Sequence, residues 1–274
     1  MSIQEMKNLR ADCGNCFGLC CVALPYAKSA DFAFNKDSGT PCKNLNTDYR
    51  CSIHQNLRNK GFRGCTVYEC FGAGQKVSQR TYKQNSWINN PSTASEMFNV
   101  FPIMQQLHEM LYYLYEALNL KEALPLYKDL QNAVEETAQL TNLSPQLLLQ
   151  LNIPTYRESI NKLLLQTSER VRATIKNNKN PAKQMKRTDF IGAKLRGTDL
   201  RGMNLRGALL IAADLRDCDM RVTDFIGADM RDANLSGANL LGSIFLTQAQ
   251  INAANGDRNT VLPPNFSIPK HWLV

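Results

Sequence analysis

Eight of the nine cysteines fall between residues 13 and 70, and their type and spacing give this chain its clearest capacity for chemistry. They run Cys13-x2-Cys16-x3-Cys20-Cys21, then Cys42-x8-Cys51, then Cys65-x4-Cys70. Thiolates are soft ligands that suit zinc, iron and iron–sulfur clusters. A CxxC turn can bring both sulfurs within about 2.3 Å of one ion, with backbone N–H groups left to donate to sulfur. The pattern departs from the ferredoxin run C-x2-C-x2-C-x3-C-P. It points to a metal centre on Cys13, Cys16, Cys20, Cys21, Cys42, Cys51, Cys65 and Cys70, with zinc as the expected ion and iron or an iron–sulfur cluster as the alternative. Buried structural thiols and a redox dithiol are the competing readings. Neighbouring side chains point in different directions, so Cys20 and Cys21 are expected to serve two ions or to bridge them.

The segments between these cysteines must do the positioning. Asn35–Pro41 (NKDSGTP) and Asn44–Arg50 (NLNTDYR) are rich in turn formers, as expected of a small loop-rich module that a metal holds together. Phe71–Gln79 (FGAGQKVSQ) lacks the GK[ST] of a phosphate loop and reads as a turn leaving the module. The pattern C-x2-C-x3-CC, then Gly39-x-Pro41-Cys42-x2-Leu45, Cys51-x-Ile53, Arg58 and Gly64-Cys65-x4-Cys70 resembles the YkgJ-type family, whose members are described as zinc- or iron-chelating proteins. The resemblance covers residues 13–70 and carries all eight cysteines. Cys51-x2-His54 has ligand-like spacing, but the family commonly has an aromatic residue at the place of His54, so that position reads as packing. Arg58-Asn59 stands where the family often has Arg-Pro.

At 274 residues the chain can form two or three modules, and 43% hydrophobic with 20% charged residues suits a folded, soluble protein. No apolar run approaches the roughly 18 residues of a membrane span, and the N-terminus lacks the apolar stretch of a signal peptide, so a cytoplasmic location is expected. There the thiols stay reduced, which disfavours a disulfide framework. The net charge of +8 is uneven: residues 1–90 hold 12 basic and 6 acidic side chains, residues 91–181 hold 8 and 9, and residues 182–274 hold 12 and 9. Eight thiolates on two divalent ions would lower the excess of the first segment to about +2, so this charge need not mark a nucleic-acid partner.

The middle of the chain is helical in pattern. Thr93 with Glu96 reads as a capping box for a helix with Met97, Phe101, Met104, Leu107, Leu111, Leu114 and Leu118 on one face; Pro102 should kink it or mark its start, and Asn119 should end it. Further helices are expected over 121–139, from Ser144-Pro145, and from Thr155, where Glu158 suggests a second capping box. Tyr112, Tyr113 and Tyr115 read as interior packing, His108 has no evident partner, and Glu135-Glu136 reads as solvated surface. Lys176–Arg187 holds five basic residues, no acidic ones and a proline, as an exposed connector would.

From Thr188 to Thr247 the sequence repeats every five residues through twelve blocks. The third residue is always large and apolar, from Phe190 to Phe245; the first is small except Met203; the second and fourth are mostly Asp, Asn or Arg. Five matches neither the helical nor the strand period. Four blocks would close a coil of 20 residues, so twelve give three stacked coils. Cys218 takes a small inward position, outside the metal set. Residues 188–247 hold 7 basic and 8 acidic side chains, with Arg196 over Arg216 and Arg201 over Arg221; Ile191 and Ile211 align as an apolar strip. The rhythm fails at Gln250, after which a short helix and an extended tail with Phe266 and Trp272 should cover the last coil. The run resembles the pentapeptide-repeat family, A(D/N)LxX, which implies a right-handed quadrilateral β-helix.

The chain is therefore expected to be multidomain α+β: a cysteine-rich metal-binding module (1–90), an α-helical domain with a basic linker (91–181), the repeat solenoid (182–249) and a C-terminal cap (250–274). The reading that joins the two strong signals is a metal-binding scaffold whose solenoid meets a protein partner. Nucleic acid and membrane are not expected partners, and homo-oligomerisation is left open. No Ser/His/Asp or Cys/His set is readable, which points away from an enzyme. An iron–sulfur redox protein is the alternative. A second is a DNA mimic protecting a topoisomerase, a role that calls for a longer and more acidic rod.

Overall fold

The computed structural model describes residues 8–175 and 188–273. The connector Lys176–Arg187 lies outside the described residues. Two compact units are present: Met1–Asn119 with Leu126–Leu163, and Leu120–Pro125 with Leu164–Val274. The cysteine-rich segment and the first helices of the middle region thus share one unit.

In the first unit the loops carry short helices: α1 (Leu19–Ala23), α2 (Arg63–Thr66) and α3 (Ala73–Lys76), the last continued by a π-helical turn over Val77–Thr81. Of these, α1 and α3 pack against α4 (Ala94–Leu118), which α5 (Tyr127–Leu140) and α6 (Pro145–Leu149) also contact. Met97, Val100, Met104, Leu107 and Leu114 of α4 are fully buried. Each contributes roughly 1.5–3 kcal/mol, enough for α4 to run through Pro102 despite a local cost of about 3 kcal/mol. The expected capping box is absent: Thr93 makes no side-chain cap, and Glu96 accepts instead from Tyr82 and Gln146. Asn119 ends the helix as its type suggests, donating to Tyr115 O. Residues 121–126 form a 3-10 turn around Pro125 before α5 begins. Ser144 caps α6. The next helix, α7 (Ile153–Arg172), starts before Thr155, because Asn152 rather than Thr155 supplies the cap. Tyr113 and Tyr115 are buried, and Tyr112 packs on Phe71.

The second unit is built on coils with a register of 20 residues. Parallel bridges join Asp189 to Leu209 to Asp229, Lys194 to Asp214 to Asn234, Asp199 to Asp219 to Asn239, and Asn204 to Asp224 to Ile244. Every bridging residue is the second of its block. Among the described residues these remain isolated bridges and no continuous strand forms. The cause is the fifth residue, whose φ is positive in eleven consecutive blocks from Gly192 to Gly242: a corner every five residues leaves room for one bridge per side. Inside, the third residues from Leu200 to Leu240 are at most 2% exposed. The rhythm breaks earlier than its sequence suggests, at Phe245, which itself has φ 56°. Helix α8 (Gln248–Ala253) follows, with Thr247 and Gln250 forming a capping box. Asn255 and Val261 then bridge to Asn234 and Asn239, while Trp272 joins the core and Phe266 packs against it. At the other end, the Ile175 side chain and Arg172 carbonyl lie against Gly202.

Two expectations follow. Val222 holds φ 60° at a corner where seven of the eleven blocks have glycine, a costly conformation for a β-branched residue. Val222→Gly should raise the stability of the coil unit by about 1 kcal/mol in urea unfolding. In the first unit, burial holds the His108 imidazole down to about 4, and its neutral Nδ1–H donates to Phe71 O over 2.8 Å. A histidine depressed in the folded state supports folding above its unfolded value near 6.5, and that support is lost as pH falls through about 4. The chain should therefore lose up to about 3 kcal/mol through this group between pH 6.5 and pH 4. His108→Asn, which keeps the donor and cannot ionise, should show a shallower decline in urea midpoints over the same window.

Candidate metal centre

The eight N-terminal cysteines are free thiols, six of them partly buried and Cys13 and Cys65 exposed. Their loops are held by neighbouring elements. Gln75 donates to Arg10 O and accepts from the Asp12 N–H, and Gln79 donates to Asn15 O. Ser78 accepts from the Phe17 N–H, and the Trp87 indole donates to Phe17 O. The stretch Phe71–Gln79 is therefore not a turn leaving the module. It is the helical segment that fixes the Cys13–Cys16 loop. Gly74 is required there, since a Cβ would meet Cys16 Sγ at 2.7 Å. On the opposite side Tyr26, Phe32, Phe34 and Phe62 form an aromatic cluster, with Tyr26 and Phe32 stacked at 4.3 Å. The Tyr26 hydroxyl donates to Cys42 Sγ over 3.2 Å.

The thiols act on one another as one connected set, with Cys13 reaching both Cys16 and Cys51. Burial is the main cause that raises Cys16 and raises Cys70 to about 11, and each is a further cause at the other or at Cys20. Burial likewise raises Cys13 and Cys51 and lifts Cys65 to about 12; Cys21 adds to all three, and Cys42 to the last two. Cys20 and Cys21 sulfurs stand 3.9 Å apart, and the shared hydrogen bond pushes Cys20 up and Cys21 down. Two thiolates on one tetrahedral ion would lie about 3.8 Å apart, so the pair is not splayed as adjacency alone implies.

Among the described residues, no group of three or more His, Cys, Asp or Glu is closed to metal-holding geometry. The donors fit a thiophilic ion in kind: reduced sulfurs, a low-dielectric setting, and a backbone N–H on sulfur at Asn44 to Cys42, 3.5 Å. His54 is exposed at the start of a 3-10 turn, so its position is not a packing site. Cys218 is buried in the coils and donates to Leu195 O over 2.9 Å.

Sequence reasoning missed Lys36. It lies within the turn-rich Asn35–Pro41 stretch, yet it is only 5% exposed. Its ammonium donates to Val22 O, Thr40 O and Asp37 O at 2.9, 3.0 and 3.1 Å, and sits 5.6 Å over the Tyr26 ring. Burial lowers its pKa, while Cys42, Cys21 and Cys20 oppose that shift. A fixed cation thus stands beside the sulfurs. The only signal in the sequence is a lysine between two ligand clusters.

The family model for Pentapeptide repeats matches residues 184–221 and 204–242, the coils described above. Over nearly the whole chain, the protein is similar to YybG of Bacillus subtilis (strain 168): 64% identity over 265 residues, covering 97% of this chain and 95% of the relative. The chain belongs to the same family as YybG, with pentapeptide repeats in its C-terminal unit. Alr5209, a pentapeptide repeat protein from Nostoc PCC 7120 with a crystal structure, is 32% identical over a match covering 33% of this chain and 87% of that chain, at a TM-score of 0.16. Among the described residues, no helix is long and apolar enough to cross a membrane.

Replacing Lys36 with Met would take the donor from Thr40 O and one of two donors from Val22 O and Asp37 O. A loss of about 3 kcal/mol is expected, read as a lower urea midpoint for the first unit, with the coil unit unfolding as before.

Proposed function

We propose that this protein is a metal-binding interaction scaffold, in which the cysteine cluster takes zinc, or iron in its place, and the coils offer a surface to a protein partner. One observation carries the reading: eight reduced cysteines from separate loops lie within each other's electrostatic reach in one unit, while the ninth is committed to the coil interior. Eight thiolates would suffice for two four-coordinate ions, with Cys20 and Cys21 serving both or bridging them. Such an ion, when bound, supplies folding free energy to loops that have little core of their own. Lys36 would offset the surplus thiolate charge.

In this reading the coil is a right-handed quadrilateral β-helix. Its sides carry Asp–Arg pairs within single blocks: Asp199 with Arg201, Asp214 with Arg216, Asp219 with Arg221 and Asp229 with Arg231, at 2.6–2.7 Å. Arg216 holds the Asp214 carboxyl down at about 2. A surface whose carboxylates are matched in place supports a protein partner over a mimic of nucleic acid.

Elemental analysis of the chain purified without oxygen tests the proposal. About two zinc per chain is expected, falling when Cys20 and Cys21 are changed to Ser but unchanged in Cys218→Ser. A metal-free chain that is fully folded, with thiols indifferent to chelators, would overturn it. Iron with inorganic sulfide would replace zinc with the iron–sulfur alternative.

A further inference from the structure

The first unit holds a half-open cavity of 560 Å³ between the Asn8–Asn15 segment, α3 with its π turn, and α4. Its size suits a small organic molecule. Two cations line it from one face of the same helical segment, Lys76 and Arg80, four residues apart. Lys76 is half-buried and donates to a neutral amide, Asn142 Oδ1, over 2.6 Å. Among the described residues neither cation forms an ion pair, and their charges act on one another. Like charges so placed repel. The single carboxylate on the wall, Asp12, is engaged by the Gly14 N–H and the Asn15 amide at 2.9 and 2.7 Å. His108 closes the inner end, its Nδ1–H donating to Phe71 O and its Nε2 left as an acceptor. Leu9 and Leu111 supply apolar wall. Arg80 stands in a five-residue π-helical turn, a rare conformation that recurs at functional sites.

We infer that this cavity binds a small phosphate monoester, with the dianion between Lys76 and Arg80 and the organic remainder against Leu9 and Leu111. A dianion matches two cations, whereas a single carboxylate leaves one unmatched. Bare phosphate fills only a fraction of the space, so the organic part should add affinity. No cysteine lines the cavity, and the inference does not require a bound metal.

Isothermal titration of the full chain with phenyl phosphate and with inorganic phosphate tests this. Both should bind, phenyl phosphate at least tenfold more tightly. Arg80→Gln should weaken both at least tenfold. Arg80 is exposed, so this variant should fold as the parent does; Lys76→Gln, which also loses the Asn142 contact, serves as the second variant. Absence of binding at millimolar concentration overturns the inference. So does affinity unchanged in Arg80→Gln, which would locate the phosphate elsewhere, including at a metal. Equal affinity for the two probes would overturn the monoester assignment.

Discussion

In the coil unit, everything follows from the need to pair every backbone N–H in a chain that turns each five residues. The third and fifth N–H groups of a block donate to the next coil, as Leu200 does to Asp219 O and Gly202 to Arg221 O. The second donates to the previous coil, as Asp219 does to Thr198 O, and the first closes the corner, as Met203 does to Leu200 O. The fourth points outward with no backbone acceptor in reach. There the side chain of the second residue accepts: Asp199 from Arg201, Asn204 from Arg206, Asp224 from Ile226, Asn234 from Ser236. This is why the second position is Asp or Asn in nine of the twelve blocks, Lys194, Leu209 and Ile244 being the exceptions. The carboxylate then draws the arginine guanidinium onto itself, so one requirement of the backbone also sets the surface charge pattern.

The first unit solves a different problem. Its cysteine loops form almost no regular structure, and side chains rather than ladders hold them: Gln75, Ser78, Gln79 and Trp87 on one side, Lys36 on the other. These clamps fix the loops through single side-chain contacts.

Much of this was legible because its signals are periodic. The five-residue rhythm shows the 20-residue register, the inward third residues and the interior place of Cys218. The face of α4 is equally plain. The misses lie where one tertiary contact decides. Glu96 was taken from its cap by Tyr82 and Gln146. Phe71–Gln79 became a helix because it packs against α4 and the Cys13–Cys16 loop, which its glycines do not announce. Lys36 is buried through two nearby carbonyls, of Asp37 and Thr40, and that of Val22, which the fold brings to it. Phe245 turns early, two residues ahead of the Thr247 cap of α8.

The lids on the coil stack are independent of its contents. Ile175 lies on Gly202 at one end; Asn255, Val261 and Trp272 occupy the next rungs at the other. Twenty further residues inserted between them would add one layer of roughly 4.8 Å and meet the same two covers. The height of the rod is thus an adjustable dimension, open to change by duplication while both extremities stay sealed against growth into fibres.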